Sequence, residues 1–234
     1  MRIGSKQWKH LIYSGAEALG IHMDQEKIDQ FVIHARELVQ WNQKVNLTAI
    51  TKPREIAVKH FIDSLAPAPH IPTDASLLDI GSGGGFPGIP LKILLPSLSV
   101  TLIDASRKKV SFLKHMIRIL ALNNTEAHHT RAEDLSRNST LANSFDVVIT
   151  RALSSMDTVF STALPLLVKG GKIIAMKGKT YTEIDAVHSI KNHPPNTVAE
   201  NKNHFTLAVK KYTLPYLASA RCLVIFEDGR SCDG

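Results

Sequence analysis

Residues 78–88 read LDIGSGGGFPG. An apolar strand, SLLDI (76–80), runs into a glycine turn, and a helical pattern with Ile89, Leu91, Ile93, Leu94 and Leu95 follows. Strand, glycine turn and helix in that order open a doubly wound α/β sheet, and they place a ligand over the carboxyl ends of the strands. Glycine tolerates positive φ and has no Cβ, so the backbone itself can touch that ligand. Gly83-x-Gly85-x-x-Gly88 fits the dinucleotide fingerprint formally but begins late after the strand-end Asp79. The register Gly81-x-Gly83-x-Gly85, preceded by Asp79, describes the turn better.

The chain on either side completes a sheet. VTLID (100–104), TEAHH (125–129), FDVVIT (145–150) and KIIAMK (172–177) read as further strands, with a clear helix over 108–122. Strands alternating with helices predict a parallel sheet covered on both faces. The rhythm then breaks. NHFTLAVKKYTL (203–214) and ARCLVIFED (220–228) read as two strands pairing antiparallel at one edge. The expected fold is α/β, Rossmann-like, with a mostly parallel seven-stranded sheet and an antiparallel edge. Ahead of it, helical spacing recurs over 5–20, over 24–43 behind an Asp24 N-cap, and from Pro53 to Leu65. Three prolines in 67–72 suggest a linker, so residues 1–72 are read as a helical extension and 73–234 as the ligand-binding domain.

Composition narrows the class. The 234 residues are 44% hydrophobic, enough for one main domain with a full core. There are 28 Lys+Arg against 21 Asp+Glu, a formal charge of +7. A basic chain tends to meet polyanions, though no single Lys/Arg tract dominates here. The cysteines, Cys222 and Cys232, form no CxxC, and no Cys/His cluster suggests a metal site. The amino terminus lacks a signal-peptide core, and the apolar region 89–103 is interrupted by Lys92 and Pro96. A reduced, cytoplasmic protein is the expectation.

Charge then selects among ligands. A carboxylate beside the turn repels a pyrophosphate and attracts a cation. That favours S-adenosylmethionine, which carries a sulfonium and an ammonium group, over NAD. Asp79 alone serves a turn or cap equally well. Asp104 ends the second strand, where a carboxylate accepts both hydroxyls of a ribose or else caps the helix behind it. Glu133, in TRAED after the third strand, falls beside the adenine of a bound nucleoside or starts a solvated helix. Arg151 follows the fourth strand in VVITRALSS, where it meets an anionic RNA or a ligand carboxylate, or forms a rim salt bridge. TRAL replaces the Asn/Asp-Pro-Pro-aromatic motif used on exocyclic amines, and neither cysteine lies near this rim for covalent catalysis.

LDIGSGGGFPGIPLKI, TLIDASRKKVSFL, TRAED and VVITRALSS, with WNQKVNLTAI and HFIDSL upstream, resemble the bacterial 16S ribosomal RNA guanine-N7 methyltransferase family, formerly the glucose-inhibited division protein B family. The likeness runs from Trp41 to Gly178 and is specific, because GFPGIPL and ITRA are not general to such sheets. It implies a class I methyltransferase fold, S-adenosylmethionine as cofactor, and guanine 527 of small-subunit rRNA as target. The matching contact positions are Gly81, Phe86, Ala132, Glu133 and Arg151. Gly83, Gly85 and Asp104 join them from the sheet logic, with Arg151 the candidate for positioning substrate. The partner is then 16S rRNA or the small ribosomal subunit, met by a monomer, with no metal and no membrane. Lys44, Lys52, Arg54, Lys59, Arg107, Lys108 and Lys109 are candidate phosphate contacts, each otherwise a solvated helix residue. Three alternatives stay open: a nicotinamide oxidoreductase, a non-catalytic RNA-binding or assembly factor, and a methyltransferase acting on protein or small molecules.

Overall fold

Ser5 caps the first helix, α1 (Lys6–Glu17), accepting the Trp8 N–H on its hydroxyl at 3.3 Å. Trp8, Ile12 and Ala16 recur at helical spacing and are buried. Trp8 also donates Nε1–H to the Pro53 carbonyl at 2.9 Å, tying α1 to a later helix. Asp24 caps α2 (Gln25–Asn42), accepting the Lys27 N–H at 2.8 Å. The third helix, α3, is α-helical over Pro53–Ile56, π-helical over Ala57–Ile62 and α-helical again over Asp63–Leu65. Periodicity gives its span but not the widened turn, a feature that often marks functional sites. The expected linker carries a short 3-10 turn, Ala68–His70. This is a computed structural model, and it describes residues 1–131, 134–135, 142–151, 155–178 and 205–229.

Seven strands follow: β1 (Ser76–Ile80), β2 (Ser99–Asp104), β3 (Thr125–His129), β4 (Phe145–Thr150), β5 (Leu167–Lys177), β6 (Phe205–Leu214) and β7 (Ser219–Asp228). Between them lie α4 (Gly88–Leu94), α5 (Arg107–Ile119) and α6 (Met156–Ala163). The sheet order is β3-β2-β1-β4-β5-β7-β6, parallel except for β7, which runs antiparallel to both β5 and β6. β5 starts earlier than the KIIAMK run suggests. Lys169, Gly170 and Gly171 hide its start from any hydrophobic pattern, and the pairing to β4 shifts register there, with Gly170 at φ +76°. HPPN (193–196), which lacks the aromatic of the Asn/Asp-Pro-Pro-aromatic motif and reads as a loop, lies outside the described residues.

Alternation along β1 sorts its side chains to two cores. Leu77 joins a cluster with Trp8, Ile12, Phe31, Phe61, Val100 and Leu102, while Leu78 and Ile80 join Val148, Val159 and Phe160. The helices before residue 72 therefore join α4 and α5 on one side of the sheet and share its core. Lys92 is buried inside the apolar α4, and its Nζ donates to Pro96 O at 2.7 Å and Leu98 O at 2.5 Å. That placement satisfies the ammonium and closes the helix end. No helix among the described residues is long and apolar enough to cross a membrane.

Candidate active site

Ile80 of β1 and Thr150 of β4 are register partners, and Thr150 Oγ1 donates to Ile80 O at 3.0 Å. Gly81 and Arg151 therefore leave the sheet side by side. The strand order turns there, with β2 and β3 on one side and β5 on the other. The two outgoing loops separate at such a point and leave a crevice.

The glycine turn is pinned from below. Gly81 and Ser82 both donate N–H to Ile103 O, at 2.9 and 3.0 Å, and Ser82 Oγ donates to Asp79 O at 2.9 Å. Gly83 N–H donates to Asp104 Oδ2 at 3.0 Å. Gly81, Gly83 and Gly85 have φ of +76°, +56° and +87°, the left-handed region that favours glycine. Above the turn there is room: a Cβ on Gly83 meets only Gly81 O, at 3.8 Å. A Cβ on Gly88 would come within 2.4 Å of Leu102 Cδ2 and 2.8 Å of Asp79 Oδ2. So Gly83 leaves its space to something outside the chain, whereas Gly88 is needed for packing α4 onto the sheet.

Asp79 corrects an expectation. Its side chain is fully buried, Oδ2 accepts the Gly88 N–H at 2.9 Å, and Oδ1 has no hydrogen-bond partner among the described residues. Burial pushes its carboxyl up to about 7, against the pull of the Gly88 N–H. Between Leu78 and Ile80, the pleat sends Asp79 beneath α4 and away from the open side of the turn. It is a turn anchor, partly protonated near neutrality, and no fixed negative charge for a cationic ligand.

Phe86 lies between two histidines. Its ring stacks on His34 at 4.8 Å and 11° and on His60 at 4.5 Å and 10°. His34 Nε2 lies 2.8 Å from Gly84 O, so that nitrogen carries the proton and donates. Thus α2 holds the glycine turn directly. His60 Nε2 lies 2.8 Å from Thr48 Oγ1. Burial lowers both rings, to about 4 for His34 and about 3 for His60, so both are neutral at pH 7.

Arg151 is held by α3. Its Nη2 donates to Lys59 O at 2.6 Å and lies 3.1 Å from Asp63 Oδ2. Asp63 is buried, and its Oδ1 also accepts from Tyr212 Oη at 2.8 Å and lies 3.7 Å from Arg221 Nε. Arg151 Nη1 is buried and has no hydrogen-bond partner among the described residues. The rim salt bridge therefore exists, and one guanidinium nitrogen is left over.

Gly81, Gly83, Gly85, Phe86, Asp104 and Arg151 gather at the carboxyl ends of β1, β2 and β4, with the Phe86 ring buried under the turn. Ala132 and Glu133 lie outside the described residues. Asp104 is engaged on both oxygens, by Gly83 N–H and, at 2.8 Å, by Ser106 N–H. Each carboxylate oxygen still offers a second lone pair. Sequence reasoning missed His34, His60 and Asp63. The signal for Asp63 was present: a carboxylate inside the apolar run FIDSL of a helix. Among the cations, Lys59 pairs with Glu55 at 3.1 Å and Lys109 lies 4.0 Å from Asp104. Lys44, Lys52, Arg54, Arg107 and Lys108 are exposed.

This strand order, with one reversed strand next to last and a glycine turn leaving β1 at the switch point, is that of the Rossmann-like methyltransferases. Two of the solved structures similar to this chain are themselves methyltransferases. An O-methyltransferase from Bacillus cereus in complex with SAH aligns with a TM-score of 0.61 at 19% identity, covering 95% of this chain and 99% of the other. A SAM-dependent methyltransferase from Aquifex aeolicus aligns at 0.56 and 14% identity, covering 77% and 96%. Sequence narrows the class further. The family GidB, rRNA small subunit methyltransferase G, matches residues 27–208. The protein of that name from Geotalea uraniireducens is 41% identical over 220 residues, 94% of this chain and 96% of its own. Its counterpart from Oceanobacillus iheyensis is 45% identical over 166 residues, 70% of each. The chain belongs to the rRNA small subunit methyltransferase G family.

Proposed function

We propose that this protein is a cytoplasmic, S-adenosylmethionine-dependent enzyme that methylates N7 of a guanine in 16S ribosomal RNA. The observation that carries the cofactor assignment is the buried, unpartnered Nη1 of Arg151, a residue that leaves the sheet alongside Gly81 of the glycine turn. A guanidinium N–H with no partner among the described residues suits the cofactor carboxylate. Asp104, with lone pairs to spare, suits the ribose hydroxyls, Gly81 and Gly83 let the chain approach closely, and Gly85, whose Cβ would meet Ile89 Cδ1 at 2.5 Å, lets the turn close onto the protein below. We assign Phe86 the task of shaping the turn from below, and Ala132 and Glu133 the adenine side by family pattern. The bound cofactor supplies an electrophilic methyl group on sulfur.

Guanine N7 carries a free lone pair and needs no deprotonation before it attacks. The protein's task is then alignment of nucleophile and methyl group, which alone lowers a barrier by several kcal/mol. Arg151, fixed by Asp63 and Lys59 O, positions one side of the crevice. N7 lies on the major-groove edge, which side chains cannot reach in A-form RNA, so the target is an unpaired base.

Calorimetric titration with S-adenosylmethionine and with NAD tests the cofactor; binding of NAD alone overturns it. Transfer of a labelled methyl group to 16S rRNA, followed by chain cleavage at 7-methylguanine, tests the reaction. Label entering protein, or entering RNA without creating a cleavage site, assigns it elsewhere.

A further inference from the structure

A second crevice opens on the same rim. β7 runs antiparallel to β5, with Lys177 opposite Cys222, so the β6–β7 turn rises beyond the carboxyl ends of the parallel strands. β7 stands two strands from β4, about 10 Å at the usual sheet spacing. Between that turn, α1 and the start of α3 lies a pocket of about 580 Å³, lined by His10, Leu11, Lys52, Pro53, Arg54 and Tyr216 among others.

Three features make this pocket more than a surface dimple. Tyr216 is 43% exposed and held at φ +66°, with Ala218 at +46° in the same turn. Two non-glycine residues in the left-handed region are costly, and such strain collects at functional segments. The tyrosine ring also packs beside α1: a Cβ on Gly15 would meet Ile62 Cδ1 first, at 2.3 Å, and would lie 3.3 Å from Tyr216 Cε2. Finally, Lys52 and Arg54 are exposed, and neither makes an ion pair or side-chain hydrogen bond to a described residue. The neighbouring acid, Glu55, is committed to Lys59.

We infer that this pocket binds an unpaired nucleotide of the RNA substrate flanking the target guanine. The inference rests on the proposed RNA methylation and adds a grip to it. An aromatic face with apolar walls, Leu11 and Pro53, suits a base of any identity. Two unpaired cations on either side of Pro53 suit the adjoining phosphates. A single strand entering here runs along the rim toward Arg151.

The test uses the full-length protein with naked 16S rRNA. Tyr216→Ala is expected to raise KM for rRNA about tenfold, as loss of one stacked base does. Tyr216→Phe is expected to restore it, and S-adenosylmethionine affinity by calorimetry is expected to stay at the wild-type value in both. Lys52→Gln with Arg54→Gln is expected to flatten the slope of log affinity against log salt by about 1.4, the share of two phosphates on a single strand. Wild-type KM and wild-type salt slope in these variants overturn the inference. Should the parent protein bind no S-adenosylmethionine and methylate no rRNA, the proposed function fails, and the salt slopes for rRNA binding still decide the pocket.

Discussion

Asp63 Oδ2 lies 3.1 Å from Arg151 Nη2, joining the helical turn just past the π-helical segment of α3 to the residue that follows the fourth strand. The pair spans two parts of the chain that sequence reading treats as separate. It makes α3 a wall of the candidate site.

Removing the carboxylate should unseat the guanidinium. Asp63→Asn keeps the shape and the Tyr212 contact but leaves two arginines facing a neutral amide. Cofactor affinity should fall at least tenfold in calorimetry, with a lower melting temperature. Arg151→Ala leaves Asp63 with Tyr212 and Arg221, so it should fold with a loss of about 1–3 kcal/mol while methyl transfer collapses. Arg151→Lys should not rescue, because one ammonium cannot reproduce the fork. Wild-type turnover in Asp63→Asn removes the positioning role.

The two glycines of the turn should separate binding from folding. Gly83→Ala adds a methyl into open space at φ +56°, costing about 1–2 kcal/mol of backbone energy. It should nonetheless abolish cofactor binding. Gly88→Ala drives a methyl against Leu102 and Asp79 and should fail chiefly in stability, read by denaturant unfolding.

Asp104→Ala should weaken S-adenosylmethionine binding while the protein still folds, since two backbone N–H groups near the surface lose one acceptor each. Unchanged affinity by calorimetry removes the ribose assignment.

Acid should loosen the stack under the turn. His34 and His60 have folded values of about 4 and about 3, below the ordinary 6.5. The unfolded chain takes up protons first, so their contribution is complete above pH 6.5 and is lost as pH falls toward 4 and 3. His34→Gln should flatten that limb in urea titrations between pH 7 and 5.

Asp79 should act with the opposite sign. Its value is raised from 3.8 to about 7, so its contribution is complete below pH 3.8 and is lost as pH rises toward 7. Asp79→Asn, which keeps an acceptor for Gly88, should stabilise the protein at pH 8 and give no gain at pH 4. A loss at pH 8 contradicts the turn-anchor reading.

Much of this architecture is legible in the sequence because the signals are local. SLLDI and FDVVIT appear as strands where read, Asp24 announces a helix start, and the antiparallel edge follows from two strands without a helix between them. What escapes is set by three-dimensional proximity. No spacing rule says that His34 reaches Gly84, fifty residues on, or that Asp63 meets Arg151. The polarity of Asp79 is visible in the sequence, but which face of the pleat it takes depends on where α4 lands. The early start of β5 is hidden because a bulge and two glycines erase the alternation that marks a strand.

The apolar continuity from Trp8 through Phe61 to Leu102 bears on how such a protein can evolve. Recombination that traded residues 1–72 for another segment would strip Trp8, Phe31 and Phe61 from the core that α4 and α5 share with the sheet. Retargeting by point substitution around the crevice leaves that common core whole, whereas exchange of the amino-terminal segment does not.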